Sequence, residues 1–175
     1  MTLWIWIIIA FLVCQRVAEL IIARKNEAWM LLQGGVERGG NHYKWFVILH
    51  ILFFISIITE VLLSDTRLEA INPFLFGIFI LTQIARVWCI SSLGKFWNTK
   101  VIILPGSTLR SSGPYRFVKH PNYLIVGIEL FIIPLLLGAL YTAIIFPFLH
   151  IFILLKWRLP VENQALKDIE TLKKG

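Results

Sequence analysis

The chain has 175 residues, a length that suits one domain, but 58% of them are hydrophobic and only 15% are charged, which excludes an ordinary soluble domain. The mean hydropathy is +0.77. A formal net charge of +7 would suit nucleic acid, yet the cations gather at the ends of apolar runs, so they report membrane topology and nucleic-acid binding is set aside.

A helix that crosses a bilayer needs about 20 mostly apolar residues. Five runs meet that description: roughly Leu3 to Ala23, Trp45 to Leu63, Pro73 to Leu93, Asn122 to Leu137 and Ala139 to Trp157. The last two are separated only by a turn near Gly138 and read as a tight helical hairpin. The expected fold is an all-α integral membrane protein of about five transmembrane helices. Arg24, Lys25, Arg38 and Lys44 lie in the first connection, and Lys95, Lys100, Arg110, Arg116 and Lys119 in the third; further cations follow Lys156. The second connection carries Arg67 alone and residues 1 to 3 carry none. That alternation expects the N-terminus outside and the C-terminus in the cytoplasm. No cation precedes the first run, and Arg24 and Lys25 follow it, so it reads as an anchor rather than a cleaved signal peptide. Cys14 and Cys89 both fall inside spans, where they read as buried apolar side chains; no disulfide framework or metal site is expected from them.

In chain order, the first span is apolar until Gln15, Arg16 and Glu19, which share a helix face and read as an internal pair locking this helix to its neighbours. Residues 26–43 contain Gly34-Gly35 and Gly39-Gly40 and read as a loop with room for one amphipathic turn around Trp29 to Leu32. No G-x-G-x-x-G phosphate loop is present. After the third span comes the longest connection, Gly94 to His120. Its β-rich run Trp97 to Leu104, ended by Pro105-Gly106, reads as a strand and turn, with a hairpin return through Ser107 to Arg110.

Arg16, His50, Arg86 and Glu129 each fall about six or seven residues inside their spans from the cytoplasmic end, roughly 10 Å deep at 1.5 Å per residue. Two readings stand: a shared polar floor beneath a cavity, with Glu129 neutralising Arg16 or Arg86, or separate helix-to-helix hydrogen bonds.

The densest chemistry is Gly113-Pro114-Tyr115-Arg116-Phe117-Val118-Lys119-His120-Pro121-Asn122-Tyr123. Proline suits the first position of a helix, so the fourth span should start at Pro121 with the N–H groups of Asn122 and Tyr123 turned back toward the cytoplasm. Such an end favours an anion, and Tyr115, His120 and Tyr123 would surround it. Taken singly, each is equally an aromatic-belt residue. In the tail, Arg158 and Glu162 are four apart on one helix face if the fifth helix runs past Pro160; by spacing alone a surface ion pair reads as well.

Together, Gly113-Pro114-Tyr115-Arg116, Lys119-His120-Pro121-x-Tyr123, an apolar hairpin and Arg158-x-x-x-Glu162-x-x-x-Leu166 resemble the isoprenylcysteine carboxyl methyltransferases and their bacterial membrane relatives, over about residues 94–166. The resemblance implies a membrane enzyme that uses S-adenosylmethionine without a Rossmann domain, the whole chain 1–175 forming one methyltransferase domain. It implies cofactor contacts at Ser107, Thr108, Leu109, Arg110, Tyr115, His120, Pro121, Asn122, Tyr123 and Glu162, and a substrate-binding arginine at Arg158, with Arg158 and Glu162 carrying the catalytic work. Adjacent glutamates are common in the tail of such families, and here Asn163 follows Glu162; the usual arginine before His-Pro is Lys119. The implied acceptor is lipophilic: an isoprenylcysteine-like carboxylate, or an acidic enol or hydroxypyrone on a lipid tail, such as an alkylpyrone. A carboxylate with a pKa near 4 is ionised at neutral pH and needs no general base, and Arg158 would hold it with both prongs of its guanidinium. Two other classes remain. A sterol-type membrane reductase would use NADPH and call for more arginines near Arg110 and Arg116; a non-catalytic scaffold would tolerate loss of His120 and Arg158.

Overall fold

The structure, a computed structural model, describes residues 3–38, 43–64, 70–105 and 112–164. Helix α1 covers Leu3–Leu32, α2 Tyr43–Leu63, α3 Pro73–Leu93, α4 Pro121–Leu136 and α5 Leu140–Ile153, with short strands β1 (Val36–Arg38) and β2 (Val101–Ile103). Among the described residues, four helical stretches are long and apolar enough to cross a membrane: Leu3–Leu32, Tyr43–Leu63, Pro73–Phe96 and Leu140–Gln164; Pro121–Leu136 is apolar but shorter. The protein is an all-α integral membrane protein. Its outward faces carry large apolar side chains such as Phe11, Ile55, Leu81, Ile84 and Phe148, a covering that lipid accepts and water would not.

Local signals explain the boundaries. Asn72 caps α3, its Oδ1 accepting from Phe74 N at 3.0 Å and Leu75 N at 3.2 Å, with Pro73 in the first turn. Gly138, at φ +79°, turns the chain from α4 into α5. At that end Glu60 from α2 caps α5, accepting from Tyr141 N at 2.8 Å and Thr142 N at 2.9 Å. The core between α2, α4 and α5 is filled by Phe53, Ile57, Leu130, Ile133 and Phe146.

Three details differ from the sequence reading. First, α1 continues to Leu32, so the expected loop from Asn26 starts only at Gln33; Arg24, Lys25 and Glu27 are helical. The extension is held from outside, because Asn26 Nδ2 donates to Trp97 O at 2.7 Å and Asn98 Nδ2 to Ala23 O at 3.4 Å. Second, β2 is shorter than the expected strand and pairs antiparallel with β1, Val36 opposite Ile103 and Arg38 opposite Val101; the expected return through Ser107 to Arg110 lies outside the described residues. Third, Cys14 is exposed and only Cys89 is buried, since Cys14 sits on an outer face of α1.

The fifth span is longer than its apolar run. After Ile153 the helix widens into a π turn over Leu154–Arg158 and then continues to Gln164. Pro160 has no N–H to give, and a widened turn just before it accommodates the missing bond. The short α4 and the long final helix together let residues 158–162 overhang the start of α4.

Candidate active site

The Gly113 motif is docked on the end of α3. Gly113 has φ +57°, and a Cβ there would lie 2.0 Å from Ser92 Oγ and 3.1 Å from Trp88 Nε1, so the turn admits only glycine. Ser112 Oγ donates to Ser92 O at 2.7 Å, fixing the approach. Pro114 is buried, and Tyr115 follows on the same short turn to line a cavity. Burial pushes the Tyr115 phenol up from its ordinary value, so it stays a neutral hydroxyl.

Pro121 opens α4 as expected and is itself buried. The exposed helix start is narrower than the sequence suggests, because Tyr123 N already donates to His120 O at 3.2 Å. Above it, the rings of His120 and Tyr123 stack with centroids 5.3 Å apart. The Tyr123 hydroxyl donates to Glu162 and accepts from Arg158 Nε at 2.8 Å. His120 Nδ1 lies 3.3 Å from Glu162 Oε1, and Arg158 Nε 3.9 Å from Glu162 Oε2. Arg158 Nη1 donates to Thr99 O at 3.0 Å. The start of α4, the last helix and the β2 connection thus meet at one point.

These side chains form the polar end of a cavity of about 700 Å³, within the roughly 300–1,000 Å³ of small-molecule sites. Tyr115, Lys119, His120, Asn122, Tyr123, Arg158 and Glu162 all line it. Asn122 Oδ1 is buried there without a hydrogen-bond partner, an acceptor waiting for a donor. The opposite flank is apolar, with Val13, Val17 and Leu20 from α1 facing Val47, Ile51 and Phe54 from α2. Residues 97–104 close a further side. Of the residues singled out in sequence, Pro121 supports the helix start without lining the cavity, and Ser107, Thr108, Leu109 and Arg110 lie outside the described residues.

At the bottom is an ion network. Arg86 donates to Glu19 through Nε and Nη2, the latter at 2.7 Å, and through Nη1 to Glu129 at 2.7 Å. Arg16 bridges the same two carboxylates, at 2.8 Å to Glu19 and 2.7 Å to Glu129. Two guanidiniums and two carboxylates from α1, α3 and α4 balance one another, as burial requires. Gln83 Nε2 adds a bond to Glu129 at 3.0 Å. Arg16 and Arg86 line the cavity together with Glu19, and Glu129, which does not line it, neutralises both arginines from beneath, so three of the four expected floor residues share one network. His50 does not join: its Nδ1 lies 2.8 Å from Phe46 O on its own helix.

Three polar lining residues were not read from the sequence as part of a site. His150, a lone imidazole in an apolar run, carries the signal that any ionisable residue inside a span carries. Thr99 and Lys100 have no such signal. Lys100 Nζ reaches Glu27 Oε1 at 2.6 Å and Glu37 Oε2 at 3.2 Å, tying β1 and α1 to the β2 connection; the Glu27 bond first, and Glu37 after it, hold the ammonium above its ordinary value.

Comparison with known proteins agrees with this geometry. The model of the isoprenylcysteine carboxyl methyltransferase family matches residues 75–168, a span that contains the α3 dock, the α4 start and the Arg158–Glu162 tail. Uncharacterized protein YpbQ of Bacillus subtilis is 40% identical over 163 residues, 93% of this chain and 96% of its own. An uncharacterized protein of Haemophilus influenzae is 26% identical over 144 residues, 82% of this chain and 84% of its own. No solved structure matches the chain significantly. With more than half its length matched by the family and the polar cluster from Tyr115 to Glu162 inside the matched span, the chain belongs to the isoprenylcysteine carboxyl methyltransferase family, which supports a membrane methyltransferase.

Proposed function

We propose that the protein is an S-adenosylmethionine-dependent O-methyltransferase of the membrane, acting on an oxygen of a lipophilic acceptor. The observation that carries this reading is the convergence of His120, Tyr123, Arg158 and Glu162 at the polar end of a cavity whose other flank is apolar. One end suits a charged, amino-acid-bearing cofactor, the other a lipid tail. In this reading the whole chain is one methyltransferase domain, its cofactor part within about residues 94–166. The N-terminus is outside, and the site and C-terminus are cytoplasmic, following the cation distribution.

The residues present fit the cofactor. The start of α4 favours its carboxylate, and the unpartnered Asn122 Oδ1 and the Glu162 carboxylate would take its ammonium. Tyr115, His120 and Tyr123 offer flat faces beside them, and Ser107 to Arg110 are proposed to complete the contacts. S-adenosylmethionine supplies a methyl group already activated on a sulfonium. The chain's own task is then to align the acceptor oxygen and keep water out. Arg158 would steady the acceptor oxygen. Its Nε and Nη1 are engaged with Tyr123 and Thr99, so a two-pronged grip on the acceptor needs one of those bonds to exchange. A carboxylate, or an enol or hydroxyl on a lipid tail, would be drawn from the bilayer between α1 and α2, where the lining is apolar.

Incubating membranes that carry the protein with methyl-labelled S-adenosylmethionine and a lipid extract tests this. Label in a lipid fraction, lost with Arg158→Ala and with His120→Ala, is expected; a wild-type protein that binds no S-adenosylmethionine would end the proposal.

A further inference from the structure

Two imidazoles line the cavity outside the polar cluster, and each has spent its proton on a backbone carbonyl. His50 Nδ1 lies 2.8 Å from Phe46 O, and His150 Nε2 lies 3.3 Å from Tyr123 O. A carbonyl oxygen only accepts, so in both rings the bonded nitrogen carries the hydrogen and the other keeps a lone pair. Among the described residues nothing donates to His50 Nε2, and His150 Nδ1 is buried without a partner. Both rings line the same cavity. A ligand that satisfies such acceptors must bring a hydrogen-bond donor. An ionised carboxylate brings none, whereas a hydroxyl does.

We infer that His50 Nε2 receives the hydroxyl proton of the methyl acceptor, so that the acceptor arrives with its proton rather than as a carboxylate. This rests on the O-methyltransferase reading. The acceptor oxygen forms the new O–CH₃ bond while the CH₃–S⁺ bond of the sulfonium donor breaks and its electron pair stays on sulfur. The O–H bond breaks in the same event, and its proton passes to His50 Nε2 and from there to water.

The surroundings suit the role. Phe46, which fixes the His50 tautomer, lies edge-on to His150 with ring centroids 6.1 Å apart, and His150 is bonded to Tyr123, whose hydroxyl joins Arg158 and Glu162. His50 is therefore linked to the polar cluster through Phe46 and His150. The ionisable groups beside it are Arg16 on α1, Glu129 on α4 and His150 on α5. Arg16 and Glu129 are paired at 2.7 Å, and Arg86 and Glu19 complete the network.

The test uses the full chain in lipid nanodiscs, methyl-labelled S-adenosylmethionine and three probes with one decyl tail: a phenol, its nitro-substituted analogue that ionises near neutral pH, and an alkanoate. Wild-type protein is expected to label the phenol. His50→Gln should lower kcat on the phenol by about 100-fold, the usual scale of general-base catalysis, with KM nearly unchanged. On the nitrophenol, already ionised, the loss should be under about 3-fold. A purely structural role predicts equal losses on both, which would overturn the inference, as would an unchanged rate on the phenol. Label on the alkanoate alone overturns it while leaving methyl transfer standing, and label on none of the probes overturns both.

Discussion

Arg158 Nε donates to the Tyr123 hydroxyl at 2.8 Å across 35 residues of sequence, and the same hydroxyl donates onward to Glu162. One phenol thereby joins the first turn of α4 to the final helix. Tyr123→Phe keeps the ring and its stack on His120 but leaves a guanidinium N–H and a carboxylate oxygen without their partner. Loss of such a partner costs about 1–3 kcal/mol, so thermal unfolding in detergent should come earlier. S-adenosylmethionine binding, measured by calorimetry, should weaken by about 10-fold, equivalent to ~1.4 kcal/mol. A variant with wild-type stability and binding would show that the bridge does neither job.

Gly113 makes a second demand on geometry. Its φ of +57° costs a side chain roughly 1–2 kcal/mol, and the added Cβ would meet Ser92 at 2.0 Å. Gly113→Ala should therefore loosen the motif from α3 and weaken cofactor binding. Gly113→Ala with Ser92→Gly removes the main clash and keeps the torsional cost, so it should regain part of the lost stability in thermal melts. If the single variant melts like wild type, the dock on α3 is not what holds Tyr115 at the cavity.

The ion network gives a third test. Arg86→Leu leaves the Glu19 and Glu129 carboxylates facing Arg16 alone, and breaking a buried pair costs about 3–5 kcal/mol. The protein should express poorly or melt well below wild type. Removing charge from both sides, Arg86→Gln with Glu129→Gln, should recover much of the loss, because no uncompensated carboxylate remains. Additive losses in the double variant would argue that the four residues act separately rather than as one unit.

The parts of the fold governed by local rules were legible in sequence. Pro73 and Asn72 mark the start of α3, Gly138 the hairpin turn and Pro121 the start of α4, because each signal acts within a few residues of itself. The extension of α1 to Leu32 was hidden, since Asn26 is held helical by carbonyls of residues 94 and 97, contacts between distant parts of the chain. The pairing of β1 with β2 was hidden for the same reason. In the site, counting depth along the spans brought out Arg16, Arg86 and Glu129, and the spacing of Arg16 and Glu19 brought out their internal pair, whereas the reach of Glu19 to Arg86 in particular depends on helix rotation, which apolar faces on every side of a lipid-facing helix specify weakly. Motif resemblance supplied Tyr115, His120, Tyr123, Arg158 and Glu162; it could not supply the Tyr123 bridge, which arises only when the short α4 and the overhanging last helix are side by side.

Lys100 gives a prediction in pH. Its ammonium bonds Glu27 at 2.6 Å and Glu37 at 3.2 Å, and those bonds raise its pKa above the ordinary 10.5. The folded state therefore holds this proton more tightly than the unfolded chain does. The stabilisation is complete below the unfolded value and is lost as pH rises through the higher folded value. The group is partly exposed, so the effect is about 0.5–1 kcal/mol. Lys100→Met should then melt slightly below wild type from neutral pH up to about pH 10, with the two curves converging at higher pH. Glu27→Gln removes the main partner and should narrow the difference at neutral pH. If the gap between wild type and Lys100→Met is unchanged through the alkaline range, the lysine contributes through its aliphatic stem against β2 and not through its charge.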